Sequence, residues 1–469
     1  MRIKLGHFHT AKDVASALGL PPPREEIFFE YLTTDSREVE EGDLFVCLRG
    51  ERYDGHAYKE EARSRGASLV LCEDGHTEER SLSVPNTQNA LAALAKAARN
   101  AIAPTVIAVT GSVGKTTTKD MIAATLGAEY ATHKTEGNHN NLLGLSLTLL
   151  SMPPKTRYLV TELGMNHARE IAALAAIARP DIAVITNVGR AHIGELGSRE
   201  AIARAKLEIL EGCAPGTVYL FPAEEKLLAP PSHAATVAFP IAKGRGPDNA
   251  YFDIFPEGTH TRFSLDFRRW RYEGLRVRGV GEHIAACAAF AVCIGDLLGV
   301  SHEGIARALL DYEGGRMRQE IFSIGSITVI EDCYNASPES MDASIAVLIH
   351  IAEKNHGRAF ALLGGMRELG EQTVPLHRAL GHACAIGGID YLFPFGQEAK
   401  EIAHGARTGG MPKDRIIENA DENTPQRSAK EIASRIRAGD VLLIKASRAL
   451  RAERVTAELK KILNKEDSN

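Results

Sequence analysis

No uninterrupted apolar run in this chain reaches the roughly 18 residues that a bilayer-spanning helix needs, so a membrane protein is not expected. Neither sign of charge dominates. Fifty-five Lys and Arg face 60 Asp and Glu, a formal net charge of −5, which argues against a general nucleic-acid binder, whose footprint is strongly basic. Cysteine is sparse. The seven residues (47, 72, 213, 287, 293, 333 and 384) are scattered, odd in number and never spaced C-x-x-C. A disulfide framework or structural zinc site is therefore not expected, and a reducing cytoplasm fits. The amino-terminal stretch MRIKLGHFHTAKDV has no apolar core behind its positive residues, so no secretory leader is expected. There is no internal repeat and no low-complexity tract. What is present, 44% apolar and 25% charged residues over a length of 469, can bury substantial cores and suits about three domains.

The boundaries follow from local pattern. An Ala-rich helical run meets Pro104, after which TVIAVT (105–110), RYLVTE (157–162) and DIAVITN (181–187) read as strands. Helical periodicity over 115–127, 168–178 and 199–212 separates and follows them, which predicts a parallel sheet with helices on its faces. Residues 251–280 alternate as a hairpin appendage. Helices are expected near 283–298 and 302–312, the second capped by Ser301. A turn-like segment, 312–320, marks the second boundary. A further βα series follows: ITVIED (327–332), RAFALLG (358–364), DYLFPFG (390–396) and DVLLIKAS (440–447). The expected architecture is α/β with three domains. These are a small α+β unit (1–103), a central P-loop ATPase-like parallel-sheet unit (104–314) and a carboxy-terminal Rossmann-like doubly wound unit (315–469).

The sharpest local signal is VTGSVGKTTTKD (109–120). A strand enters Gly111-Ser112-Val113-Gly114-Lys115-Thr116-Thr117 and a helix leaves it. Glycines let successive backbone N–H groups curl toward phosphate oxygens, and the new helix adds its positive end. Lys115 supplies a point charge, and a Thr hydroxyl can hold Mg²⁺. The loop is the short G-x-x-G-K-T-T form, because the longer pattern would require glycine where this chain has Val109. At the carboxyl ends of neighbouring strands lie Glu162, a hard oxygen ligand for Mg²⁺, and His192, with Lys206 on the following helix. Singly, these could be a strand-end cap, a loop histidine and a solvated lysine. Their place beside the phosphate loop favours function. Asn138, Asn140 and Asn141 fall in a loop before a helix and suit a polar ligand or a capped turn.

These segments together resemble the Mur ligase family along essentially the whole chain. The matching stretches are TTDSR (33–37), LFVCLRGERYDGHAY (44–58), the phosphate loop, GNHNNLLGLSLTLL (137–150), TELGMNHAREI (161–171), TNVGRAHIGELGSREAIARAKLEI (186–209), GRM (315–317), EDCYNASPESM (331–341), MRELGEQTVPLH (366–377) and IKASRALRAERV (444–455). TDSR with RGERxDGH points to the branch that adds D-alanyl-D-alanine to UDP-N-acetylmuramoyl-tripeptide, a cytoplasmic step of peptidoglycan precursor synthesis. The resemblance implies attack of the substrate carboxylate on the γ-phosphate of ATP, giving an acyl phosphate that the dipeptide amine then opens.

It also implies roles. Gly111 to Thr117 bind ATP, with Lys115, His192 and Lys206 at the reacting centre. Thr116, Glu162, His192 and Lys206 serve Mg²⁺, two ions being expected, with Lys206 carried as a carbamate. Asn335, Arg316 and Lys445 contact nucleotide. Thr34, Asp35, Ser36 and Arg37 meet the uridine diphosphate, and Asn141, Ser447 and Arg448 meet substrate. The expected partners are small molecules alone, and the expected state is a monomer.

Three departures stand out. G-x-H-N-x-x-N reads Gly281-Glu282-His283-Ile284-Ala285-Ala286-Cys287, so both asparagines are missing. G-D-M reads Gly364-Gly365-Met366. D-D-x-Y reads Glu331-Asp332-Cys333-Tyr334. The alternatives are a related amide ligase with another acceptor, of folylpolyglutamate or cyanophycin type, and a non-catalytic nucleotide-binding scaffold. The scaffold would be expected to lose the metal-ligand set. Domain closure across 312–320 is expected to accompany catalysis.

Overall fold

The run Thr105–Thr110 shows why the chain divides where it does. The preceding helix, Thr87–Ile102, ends on Ala103 in the left-handed conformation (φ 51°), and Pro104 has no N–H to prolong it. Five of the next six residues are buried and extended. The computed structural model describes all residues except 51–52, 74–79, 232–234, 247, 419–422 and 467–469. Glu51 and Arg52, inside the 44–58 motif, lie outside the described residues.

Among the described residues the chain forms three sheets of five, nine and five strands, a three-domain α/β architecture. The first sheet lies within the opening 84 residues. Arg2–Lys4 pairs antiparallel with Tyr31–Thr33, and Leu44–Val46, Leu69–Glu73 and Ser81–Val84 continue in parallel. The central sheet is ordered Trp270–Arg278, His260–Phe267, Ala250–Glu257, Val237–Lys243, Val218–Pro222, Ile182–Ile185, Thr105–Thr110, Tyr158–Glu162 and Thr132–Lys134. Only its Ala250–Glu257, His260–Phe267 and Trp270–Arg278 meander pairs antiparallel. The expected appendage at 251–280 is therefore an extension of the central sheet, joined in parallel through Val237–Lys243. The third sheet runs Glu320–Ile324, Ile327–Glu331, Val441–Lys445, Ala359–Gly364 and Tyr391–Phe395, parallel except at its first pair.

Packing joins the first two units closely. One continuous apolar core includes Ile3, Leu32 and Leu71 of the first sheet, Leu91 and Leu94 of helix Thr87–Ile102, and Val106, Leu145 and Leu159 of the central unit. The other face of the central sheet packs on helices Lys115–Gly127 and Glu282–Leu297. The third sheet has cores on both faces, mostly of its own residues. The strands Thr105–Thr110, Tyr158–Glu162 and Ile182–Ile185 run parallel, so their carboxyl ends bring residues 111, 162 and 186 to one edge.

Candidate active site between the central and carboxy-terminal units

At that edge the chain turns sharply after Thr110. Gly111 has φ 152° and Gly114 φ 79°. A Cβ on Gly111 would collide with the Thr186 hydroxyl, so this close approach requires glycine. Asn187 holds the loop open from beside it. Its Oδ1 accepts the N–H groups of Ser112 (3.1 Å) and Val113 (3.0 Å), and its Nδ2 donates to Val113 O (3.0 Å). Two of the N–H groups expected to face phosphate are thus spent internally. The N–H groups in the first turn of helix Lys115–Gly127 stay available, since intrahelical acceptors are lacking there by geometry. Lys115 Nζ donates to Gly111 O (2.8 Å) and Ser112 O (3.3 Å), stationing the ammonium over the loop. Burial lowers its pKa, while the Glu162 carboxylate partly opposes that shift.

Glu162, at the end of its strand and 1% exposed, accepts from Thr116 Oγ1 at 2.7 Å and from Asn140 Nδ2 at 2.8 Å. Of the three loop asparagines, Asn138 and Asn140 line the site, and Asn140 is the one bonded to Glu162. Asn141 is exposed and caps helix Leu142–Leu150, its Oδ1 accepting from Gly144 N (2.9 Å). His192, in the left-handed conformation (φ 64°), lies 2.5 Å through Nδ1 from Glu368 of the third unit. The His192 ring holds the Glu368 carboxyl below its usual range. Lys206, 1% exposed on helix Arg199–Leu207, has no hydrogen-bond or ion-pair partner among the described residues. Burial, and then the Lys115 charge, drive its pKa well down.

Most of these residues line a cavity of about 470 Å³ that both units enclose, whereas Lys206 and Glu368 are not among its lining residues. The central unit contributes Lys115, Thr116, Glu162 and His192, and the third unit contributes Arg318, Tyr334, Asn335 and Lys445. Lys445, itself 1% exposed, donates to Asp332 Oδ2 (2.6 Å) and to Asn335 O (3.2 Å). Burial works against the Asp332 carboxylate, yet Lys445, the Ser344 hydroxyl and His283 together keep its pKa below the ordinary value. Burial also pushes His283 down to about 4. Arg316 is exposed and lines a separate hollow at the hinge. Arg318, two residues on, lies over the Tyr334 ring at 3.8 Å and enters the main cavity. Neither Arg318 nor Asn187 stood out in the sequence. Both lie in stretches dense with motif residues, and only the fold distinguishes them.

The altered positions explain themselves in place. Ile284, Ala286 and Cys287, with Phe290, make an apolar wall of the cavity where amides were expected. At Gly365 an added Cβ would collide with the Glu398 carboxylate, so a neighbouring acid occupies that space. Ser447 is 3% exposed, and Arg448 pairs with Glu453 Oε1 at 2.7 Å; neither lines the cavity. In the first unit Arg37 forks onto Asp35 (Nε to Oδ1, 2.8 Å), which holds the Asp35 carboxyl well below its usual range. Ser36 Oγ donates to Glu61 (2.9 Å), and Thr34 N donates to Met1 O (3.2 Å). None of these residues lines the cavity. Among the described residues no group of three or more His, Cys, Asp or Glu gathers as a metal cage. Among the hard-oxygen donors lining the cavity, Thr116 and Glu162 meet next to the phosphate loop, and they suit a cation that keeps most of its shell for water and phosphate.

Comparison with known proteins agrees along the whole length. Residues 29–104 match the catalytic-domain model of the Mur ligase family, 109–295 its middle domain and 315–448 its glutamate ligase domain. The UDP-N-acetylmuramoyl-tripeptide–D-alanyl-D-alanine ligase of Bacillus subtilis is 36% identical over 452 residues, covering 93% of this chain and 94% of that protein. The crystal structure of MurF from Acinetobacter baumannii is similar with a TM-score of 0.86 at 30% identity, covering 98% of this chain and all of that one. MurF ligase from Thermotoga maritima in complex with ADP gives 0.82 at 31% identity, over 93% of this chain and 98% of that one. The chain belongs to the Mur ligase family.

Proposed function

We propose that this protein is the ATP-dependent ligase that joins D-alanyl-D-alanine to UDP-N-acetylmuramoyl-tripeptide, in the cytoplasm and as a monomer. The observation that carries the reading is the single cavity in which Lys115, Thr116 and Glu162 face Arg318, Asn335 and Lys445 of the third unit. A carboxylate attacking a phosphate brings anions together, and the site must offset that repulsion. Lys115 and the first turn of helix Lys115–Gly127 would hold the terminal phosphates, with Lys445 and Arg318 adding positive charge from the opposite wall. Glu162 and Thr116 would hold Mg²⁺, which supplies charge neutralisation when bound. Asn140 orients Glu162 for that task. A second ion would call on His192 and on Lys206 as a carbamate. Burial favours the neutral amine of Lys206, the form that adds to CO₂ with loss of a proton. The Asp35–Arg37 cluster of the first unit is the reading for the uridine diphosphate. Closing the two units excludes water, which would otherwise hydrolyse the acyl phosphate.

The test is ADP release with each substrate omitted in turn, together with the product mass. Turnover should require both the UDP-linked tripeptide and the dipeptide, and equal turnover without the dipeptide refutes the reading. Lys115→Ala should lose on the order of 10²- to 10³-fold in kcat/KM, as removal of a positioned donor does. A variant of normal rate would remove the phosphate-loop argument.

A further inference from the structure

The loop between strand Ile182–Ile185 and helix Ile193–Leu196 carries His192, and it is gripped from two sides. From its own unit, Ser112 Oγ of the phosphate loop accepts the Gly189 N–H at 2.9 Å. From the third unit, Glu339 Oε1 accepts the Arg190 N–H at 2.9 Å, and the Arg190 guanidinium follows at 3.6 Å. The Glu339 carboxylate lies flat against Gly189, where any Cβ would come to 2.6 Å from it. At the far end of the loop Glu368 accepts the Gly194 N–H through its carbonyl (3.0 Å) and meets His192 through its carboxylate.

Glu339 has no need to be there for its own helix. Ser337 caps helix Pro338–Lys354, in a box with Ser340 that satisfies the first turn. An acidic first-turn residue ordinarily points along the helix axis to favour the dipole. This one turns across the unit boundary to a backbone N–H 149 positions away. Its other oxygen is buried without a partner among the described residues, a cost that a purely local role would not explain.

We infer that Glu339 is a positioning residue. Through Gly189 and Arg190 it sets the loop that holds Ser112 at one end and His192 at the other, and it does so only when the third unit has closed. Closure then readies the phosphate loop and His192 together. This rests on the ligase reading for its activity readout, though not for its structural one.

The experiment compares Glu339→Ala, Glu339→Gln and Gly189→Ala in the full chain. Steady-state ligation is measured alongside ATP-analogue affinity, melting temperature, and closure by energy transfer between dyes on the central and third units. For E339A the expected result is a fall in kcat of on the order of 10- to 100-fold, with melting temperature unchanged, a smaller closed fraction, and analogue affinity weakened by no more than that fraction falls. E339Q keeps an oxygen for the Arg190 N–H and should recover most of the rate. G189A attacks the same contact from the other side, and its effect should not add to that of E339A. Wild-type kcat and closure in E339A would overturn the proposal. So would a loss confined to KM for ATP, or an E339Q as impaired as E339A. If the parent protein showed no dipeptide-dependent turnover, the ligase reading would fail, and the energy-transfer result alone would decide Glu339.

Discussion

Burying an ammonium group away from any anion disfavours its charged form, and Lys206 is the residue where this matters most. It sits 1% exposed with Lys115 as the charge that acts on it, so two like charges and a dry site both press toward the free amine. A solvated helix lysine would keep its proton and stay inert. The sequence leaves that alternative open, because Ala-rich spacing around 206 does not say how deeply helix Arg199–Leu207 buries that face. The expected outcome is dependence on dissolved CO₂. Ligation should fade in rigorously degassed buffer and return on adding bicarbonate. Lys206→Arg, whose guanidinium forms no carbamate, should lose on the order of 10²-fold or more under both conditions. Rates indifferent to bicarbonate would remove the carbamate from the mechanism.

At the scale of elements, Lys445 ends strand Val441–Lys445 and Asp332 directly follows the neighbouring strand Ile327–Glu331, so the pair pins two strand ends beneath the cavity. Breaking such a pair from one side strands a buried charge, whereas replacing both partners with apolar groups does not. Asp332→Asn should therefore destabilise the third unit by about 3–5 kcal/mol. The double variant Asp332→Leu with Lys445→Met should recover most of that stability while remaining inactive; chemical denaturation checks the first statement and ligation the second. Because the native pKa of Asp332 is lowered, its contribution is complete above the unfolded-state value near 4 and is lost as pH falls through the native value. The stability difference between parent and D332N should accordingly shrink on acidification below about pH 4.

Elements of this kind were largely legible. The strand 105–110 and the helix 115–127 have the limits their periodicity predicts, and Ser301 caps its helix through a bond to Gly304 N. Short strands such as Thr132–Lys134 carry too few residues to show a period. The continuity of the 250–278 meander with the central sheet depends on pairing with Val237–Lys243, a partner choice that local pattern does not encode. The same holds for the site. The phosphate loop and Glu162 are contiguous signals, whereas Arg318 over Tyr334, Glu339 on Arg190 and Glu368 on His192 are contacts between segments that only folding brings together.

Across the whole molecule the three sheets are not joined alike. The first unit shares an apolar core with the central sheet, and helix Thr87–Ile102 leads into Thr105–Thr110 with two residues between them. Gly6 N even bonds to Leu150 O (2.9 Å), and Arg99 Nε to Ala178 O (3.0 Å). The third unit keeps cores mostly of its own, with Val280 and Ile193 as the outside members, and meets the rest through polar contacts. Gln319, for example, pairs both amide atoms with Val280 N and O at 2.8 Å each. Shared apolar area couples unfolding, whereas a polar, ligand-filled interface permits units to open separately. Calorimetry of the free protein should therefore show two transitions. One belongs to the first and central units melting together, and the other to the third, with proteolysis first cutting within 311–320. A nucleotide held by both walls of the cavity binds only their closed form, so at about 100 times its Kd it should add roughly 2.7 kcal/mol to that form and draw the two transitions toward one. A single transition without nucleotide, or a first unit that melts independently of the central one, would contradict this division of the chain.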